Sequence, residues 1–149
     1  MKHITTWILV ADAAQGRLFC NDGPGRGITP VSDAVLKGRN LPGREIMSDR
    51  PGRTFDSAGL GRHAKEPRTD PREVEKHRFA RQLAALLEDE LNQGKFDRLV
   101  LVAPPKALGQ LRVELSKSVR ARVSAELAKD LTHLPAQELQ EHLGTVIAV

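Results

Sequence analysis

Residues 97–105 read Asp-Arg-Leu-Val-Leu-Val-Ala-Pro-Pro, and the fold class turns on them. Asp97–Ala103 is expected as a strand: its apolar run is nearly continuous, too short for a helix and too unbroken for a strand with one wet face. That is the pattern of a central strand covered on both sides. Pro104 and Pro105 end it, because proline carries no amide for a sheet ladder. A buried strand of this kind needs helices on its faces, and both flanks supply them. Upstream, Phe79, Leu83, Leu86, Leu87 and Leu91 recur at helical spacing. Asp70 precedes them as a cap, Pro71 suits the first helical position and Glu73 completes an arrangement like a capping box. Gly94 follows where a helix commonly ends in a left-handed residue. Downstream, Leu108, Leu111 and Leu115 mark a second helix.

Working outward, Thr6–Ala11 reads as a second buried strand, rich in β-branched residues. Ala14-Gln15-Gly16 is expected to turn, and Arg17–Cys20 resumes the apolar pattern, so the pair forms a hairpin. Asn21–Gly27 is dense in turn residues. Ile28–Leu36 is expected as a third strand, placed at an edge by Pro30. Val119–Leu127 suits helix or strand; the alternation of Val123, Ala125 and Leu127 with Ser124 and Glu126 favours a strand, which continues β-α-β order. Pro135–Leu143, closed by Gly144, is the last helix. The expected order is βββ–loop–α–β–α–β–α: an α/β fold with a mixed sheet and helices. The 149 residues suit a single domain over 1–149.

The remaining stretch, 37–72, is expected as a long loop. It holds five glycines and four prolines with few apolar anchors, and loops of this length in compact domains are usually functional or disordered. It contains nine Lys/Arg and five Asp/Glu, whereas the rest of the chain carries fourteen of each, so the net +4 lies wholly within it. An excess concentrated in one segment points to an anionic partner, RNA ahead of membrane headgroups or acidic protein. The plainer reading is a solvated loop whose arginines pair with Asp49, Asp56, Glu66 and Asp70.

Within the segment, Ser48-Asp49-Arg50-Pro51-Gly52-Arg53 sets two arginines around a Pro-Gly turn. Both guanidinium groups could face one phosphate, each with several donors. Arg62, His63, Lys65 and Arg68 continue the basic surface, and Gly52, Gly59 and Gly61 would let backbone amides approach an anion. Phe55 is the segment's one aromatic residue, so contact with the nucleic-acid backbone is expected rather than base readout. The same composition also serves turn chemistry and protein contact.

Catalytic patterns are scarce. A metal nuclease needs clustered carboxylates; Asp12 ends the first strand, but Asp97 lies at the opposite end of its neighbour, and Glu73 and Glu75 suit capping and the helix dipole. His3, His63, His77, His133, His142 and Cys20 show no zinc spacing. His77 and Arg81 fall on a solvated helix face, and Cys20 reads as a small core residue before it reads as a nucleophile. Gly23 and Gly25 belong to a hairpin and open no helix, so they form no dinucleotide fingerprint. No cofactor is called for. One cysteine excludes an internal disulfide framework and fits a reducing compartment. The first apolar run, Trp7–Val10, is too short for a signal peptide, and no stretch approaches a membrane span. A cytoplasmic location is the expectation; oligomeric state is not encoded in these patterns.

Several blocks resemble the bacterial family labelled host attachment protein, or protein required for attachment to host cells. They are WILVADAAQGRLF (7–19), SDRPGRTFDSAGLGRHAKEPRTDP (48–71) and FDRLVLVAPPKALGQLR (96–112), continued more loosely by AELAKDLTHLPAQELQEHL (125–143). The layout is also similar to the middle domain of archaeal and eukaryotic release factors and of Pelota, which implies a ribonuclease H-like fold. Release factors carry a Gly-Gly-Gln in the matching loop. Here Gly59-Leu60-Gly61-Arg62-His63-Ala64 has two separated glycines and no glutamine, and Gln82 lies inside the first helix. The resemblance therefore implies a ribosome- or tRNA-facing module without the hydrolytic tripeptide. The family label implies a second possibility, a protein-interaction factor in surface attachment.

Overall fold

The computed structural model describes residues 3–32, 35–38, 71–147 and 149, apart from the side chains of 71–73 and 75. Its elements run β1 (Thr6–Ala11), β2 (Gln15–Asn21), β3 (Thr29–Pro30), β4 (Leu36–Lys37), α1 (Pro71–Asn92), β5 (Arg98–Val102), α2 (Pro105–Glu114), α3 (Lys117–Arg120), β6 (Val123–Leu127) and α4 (Ala136–Leu143). The mixed sheet has the order β3-β2-β1-β5-β6, with β4 also on β2. β1 is antiparallel to β2 and parallel to β5, and β5 is parallel to β6. The α/β class with helices around a mixed sheet is as expected.

Side chains of adjacent strand residues point to opposite faces, and here each face meets its own helices. Trp7, Leu9 and Ala11 join Leu99, Leu101 and Ala103 under α1, α2 and Val119 of α3. Ile8, Val10, Val100 and Val102 pack with Phe19 beneath Leu139 and Leu143 of α4. All six residues of β1 are buried, which explains the unbroken apolar run Trp7–Ala11. Trp7 also stacks on Phe96 with ring centroids 5.1 Å apart.

The first helix follows its sequence signals. Phe79, Leu83 and Leu87 are buried, with Leu86 and Leu91 packed against the same cluster. At its end Gly94 has φ +74°. Its N–H donates to the Leu91 carbonyl at 2.9 Å and the Lys95 N–H to Glu90 at 3.1 Å, the paired bonds of a Schellman motif. The expected Asp70 cap lies outside the described residues. His77 and Arg81 are exposed, as expected.

Four local expectations need correction. Ile28–Leu36 is not one strand: β3 pairs with Phe19 and Cys20, and β4 with Gln15 and Gly16, at opposite ends of β2. Pro30 cannot donate to a ladder and residues 29–32 are exposed, so no buried face fixes a long register there. The first turn lies at Asp12–Ala14, not Ala14–Gly16; the Asp12 carboxylate draws it closed, and Gly16 sits within β2 opposite Ala11. Val119–Leu127 divides, with Val119 buried in α3 and the strand confined to Val123–Leu127. The 37–72 stretch is also narrower at its ends than expected, since Lys37 closes β4 and Pro71 opens α1.

Candidate functional site

The six basic residues singled out in the sequence, Arg50, Arg53, Arg62, His63, Lys65 and Arg68, lie outside the described residues. What the structure places is the root of their segment. β4 runs beside the start of β2, which itself pairs with the end of β1, so Lys37 and Gly38 leave the sheet at the C-terminal edge of β1. The Gly38 carbonyl accepts from Gln82 Nε2 at 3.4 Å, a long bond. Gln82 is a buried polar residue of α1, and it holds the departure point to the helix that receives the returning chain.

The same edge carries a cleft of about 340 Å³ between the β1–β2 turn and the amino-terminal parts of α1 and α2. Ala13, Ala14, Pro104 and Ala107 give it apolar walls, while Lys76 comes from α1 and Lys106 from α2. Clefts outside the carboxyl ends of parallel strands are the usual ligand positions in open α/β sheets. Asp12 contributes to the rim, but its carboxylate is occupied by the turn. Oδ1 accepts from the Ala14 N–H at 2.8 Å and the Gln15 N–H at 2.9 Å, an Asx turn. Oδ2 accepts from Thr132 Oγ1 at 3.3 Å, a hydroxyl that also lies 2.9 Å from Asp130 Oδ1. Among the described residues no three His, Cys, Asp or Glu side chains gather as a metal site, so Asp12 finds there no carboxylate cluster of the kind a nuclease needs.

Beyond the sheet, Arg17 fixes the approach to α4. Its Nη1 donates to the carbonyls of Thr132 at 3.1 Å and Leu134 at 2.5 Å, and its guanidinium lies 4.9 Å from the Phe19 ring centre. Sequence reading missed this role, because the partners lie more than a hundred positions away.

Cys20 is arranged against nucleophilic chemistry. Its thiol donates to Asp22 Oδ1 at 3.5 Å, and His3 Nε2 stands 3.6 Å from the same oxygen. The sulfur and the imidazole thus share one carboxylate oxygen. Burial first, and then the charge and hydrogen bond of Asp22, push the thiol up to about 11. A reactive cysteine needs the opposite shift.

No helix among the described residues is long and apolar enough to cross a membrane. The sequence pattern of the family described as "Protein required for attachment to host cells" matches residues 7–143, bearing out the resemblance read from the sequence blocks. A Rickettsia prowazekii (strain Madrid E) protein described as uncharacterized protein RP470 is 38% identical over 68 residues, 44% of this chain and 45% of that one. The match thus spans less than half of this relative's length. Among solved structures, the archaeal translation termination factor aRF1 is similar over 96% of this chain and 35% of its own, with 10% identity and a TM-score of 0.48.

Proposed function

The chain belongs to the family of proteins required for attachment to host cells, and from that premise we propose that it is a non-catalytic binding module that contacts RNA phosphate through segment 37–72. The observation that carries this reading is the location of charge: the whole +4 excess falls in that segment, and the remainder is balanced. Arg50, Arg53, Arg62, His63, Lys65 and Arg68 are the contacting residues. A field confined to one segment attracts a polyanion without burdening the packed scaffold with self-repulsion. The segment departs from β4 and re-enters at the start of α1, so folded elements hold both of its ends. The absent Gly-Gly-Gln, the occupied Asp12 and the suppressed Cys20 thiol are consistent with contact in place of cleavage.

The test is co-sedimentation with ribosomes and binding to single-stranded RNA across a salt series. The logarithm of the affinity should fall with the logarithm of salt by about 0.7 per phosphate neutralised, and Arg50→Ala with Arg53→Ala should flatten that slope. No association at low salt, or association untouched by the double substitution, would end the RNA reading. The family description favours one other reading, a protein-interaction factor in attachment. It expects a protein partner retained at high salt and no ribosome co-sedimentation.

A further inference from the structure

We infer that a second cleft, at the N-terminal edge of β1 and β5, binds the phosphate group of a small phosphomonoester through Arg26, Arg98 and the Thr6 hydroxyl. This goes beyond the RNA reading and does not depend on it, since the cleft lies at the end of β1 opposite the root of segment 37–72. Its volume of about 460 Å³ is within the range of ligand clefts, roughly 300–1,000 Å³. The floor is a row across the sheet. Thr6 of β1 stands in register with Asn21 of β2 on one side and Arg98 of β5 on the other, and all three line the cleft. Alternation puts the row on the face that Ile8 and Val10 fill with apolar packing further along. Thr6 is 7% exposed, yet among the described residues its hydroxyl has no hydrogen-bond partner. Polar groups so buried are normally paired. The hydroxyl is not sealed off and the space that Thr6 lines is the cleft, so the missing partner belongs there.

The wall is the β2–β3 turn, which brings Arg26 to the same space. Asn21 braces that turn: Oδ1 accepts from the Gly23 N–H at 3.2 Å and Nδ2 donates to the Gly27 carbonyl at 2.7 Å. The Arg26 N–H closes it on the Gly23 carbonyl at 3.2 Å. Arg26 and Arg98 are exposed, and neither makes an ion pair or a side-chain hydrogen bond among the described residues. Two unpaired guanidinium groups from separate elements, lining one space, call for an oxyanion. With the hydroxyl they offer three donor groups, one for each terminal oxygen of a phosphate ester, where a carboxylate has two oxygens. Ile4, Pro24 and Ile147 add apolar surface for the carbon portion of the ester. The sole acid among the lining residues, Asp22, already meets the Cys20 thiol and His3.

The experiment titrates the full chain with glycerol 3-phosphate, inorganic phosphate and acetate, following backbone amide shifts by NMR. Saturable shifts at Thr6, Asn21, Gly23 and Arg98 are expected with glycerol 3-phosphate, weaker binding with inorganic phosphate and none with acetate. Arg98→Gln should weaken the ester by about tenfold or more, and Asp22→Asn, which removes the opposing charge, should strengthen it. Thr6→Val keeps nearly the same shape without the hydroxyl. Its affinity should fall by about tenfold while its urea midpoint holds or rises. A merely structural threonine would lower the midpoint and leave the affinity unchanged. Absence of saturable shifts in the cleft, an equal response to acetate, inorganic phosphate binding as tightly as the ester, or full affinity in Arg98→Gln and Thr6→Val would each overturn the site. Arg50→Ala with Arg53→Ala should leave the cleft shifts in place; their loss would assign the anion to segment 37–72 and overturn the site. If the ester fills the cleft while RNA oligomers fail to bind, the site stands and the RNA reading falls.

Discussion

Cys20 and Arg17 show how far a single residue's role depends on neighbours that the sequence keeps apart. The Cys20 thiol is lifted from its ordinary 9.0 to about 11 by burial and by Asp22. The folded state therefore holds that proton more tightly than the unfolded chain does. Its contribution to stability is complete below about pH 9 and is lost as the pH rises through about 11. A rise of that size leaves roughly a hundredfold less thiolate at pH 8 than a free thiol has. Alkylation by iodoacetamide should accordingly be slow at pH 8, rise toward pH 11 and speed up in Asp22→Asn; a rate at pH 8 equal to that of free cysteine would refute the arrangement. Reading Cys20 as a packing residue was possible from its strand pattern, but the shared carboxylate was not. Arg17 is the converse case. Its position in a hairpin strand looks solvated, yet it donates to the Thr132 and Leu134 carbonyls and so ties β2 to the segment leading into α4. Hydrogen bonds from a charged donor contribute about 1.5–3 kcal/mol, and Arg17→Ala should lower unfolding free energy by about that amount in urea titration. A loss below about 0.5 kcal/mol, the scale of an ordinary surface substitution, would mean that the bonds are replaced by water.

At the scale of elements, legibility followed the strength of the local signal. α1 combined a start signal, a long apolar period and a terminal glycine, and all of its core positions fell on one face. Gly94 offers a clean test of that ending. It has φ +74° and an added Cβ would meet nothing within 4 Å, so Gly94→Ala carries only the backbone cost of the left-handed region, about 1–2 kcal/mol. Thermal unfolding should register that loss, and Gly94→Asn should recover part of it, since asparagine tolerates this region. Equal stability of the alanine and glycine forms would show that the Schellman ending relaxes. β5 was legible for a different reason: only a strand buried on both faces needs so continuous an apolar run. Leu101, fully buried between β1 and the helices, should cost about 2–5 kcal/mol as Leu101→Ala. Where signals conflicted, boundaries were lost. Pro30 interrupted an apolar pattern whose residues 29–32 are exposed, and Val119 belongs to a four-residue helix too brief to leave a period.

For the molecule as a whole, the charge map and the packing map divide the chain differently, and this shapes what can be removed. The basic segment was legible because charge is additive along a sequence and needs no folding to be counted. The cleft beside α1 and α2 was not, because it forms only when positions 12–14, 76 and 104–110 are brought to one edge; an isolated lysine after two prolines was the sole trace it left. Both faces of the sheet are covered by helices lying outside 39–70. The chain leaves at Gly38, which Gln82 ties to the middle of α1, and returns at Pro71, the start of the same helix. The basic segment and the scaffold should therefore separate. Replacing residues 40–69 by a short Gly/Ser linker lengthens no loop and removes part of a closure cost that changes only slowly with length, about 0.6 kcal/mol per halving. The shortened chain should keep its helical circular dichroism and a single cooperative urea transition, and should lose its salt-dependent affinity for RNA. Loss of cooperativity would place part of the core within 40–69, and undiminished RNA binding would move the polyanion surface onto the scaffold itself.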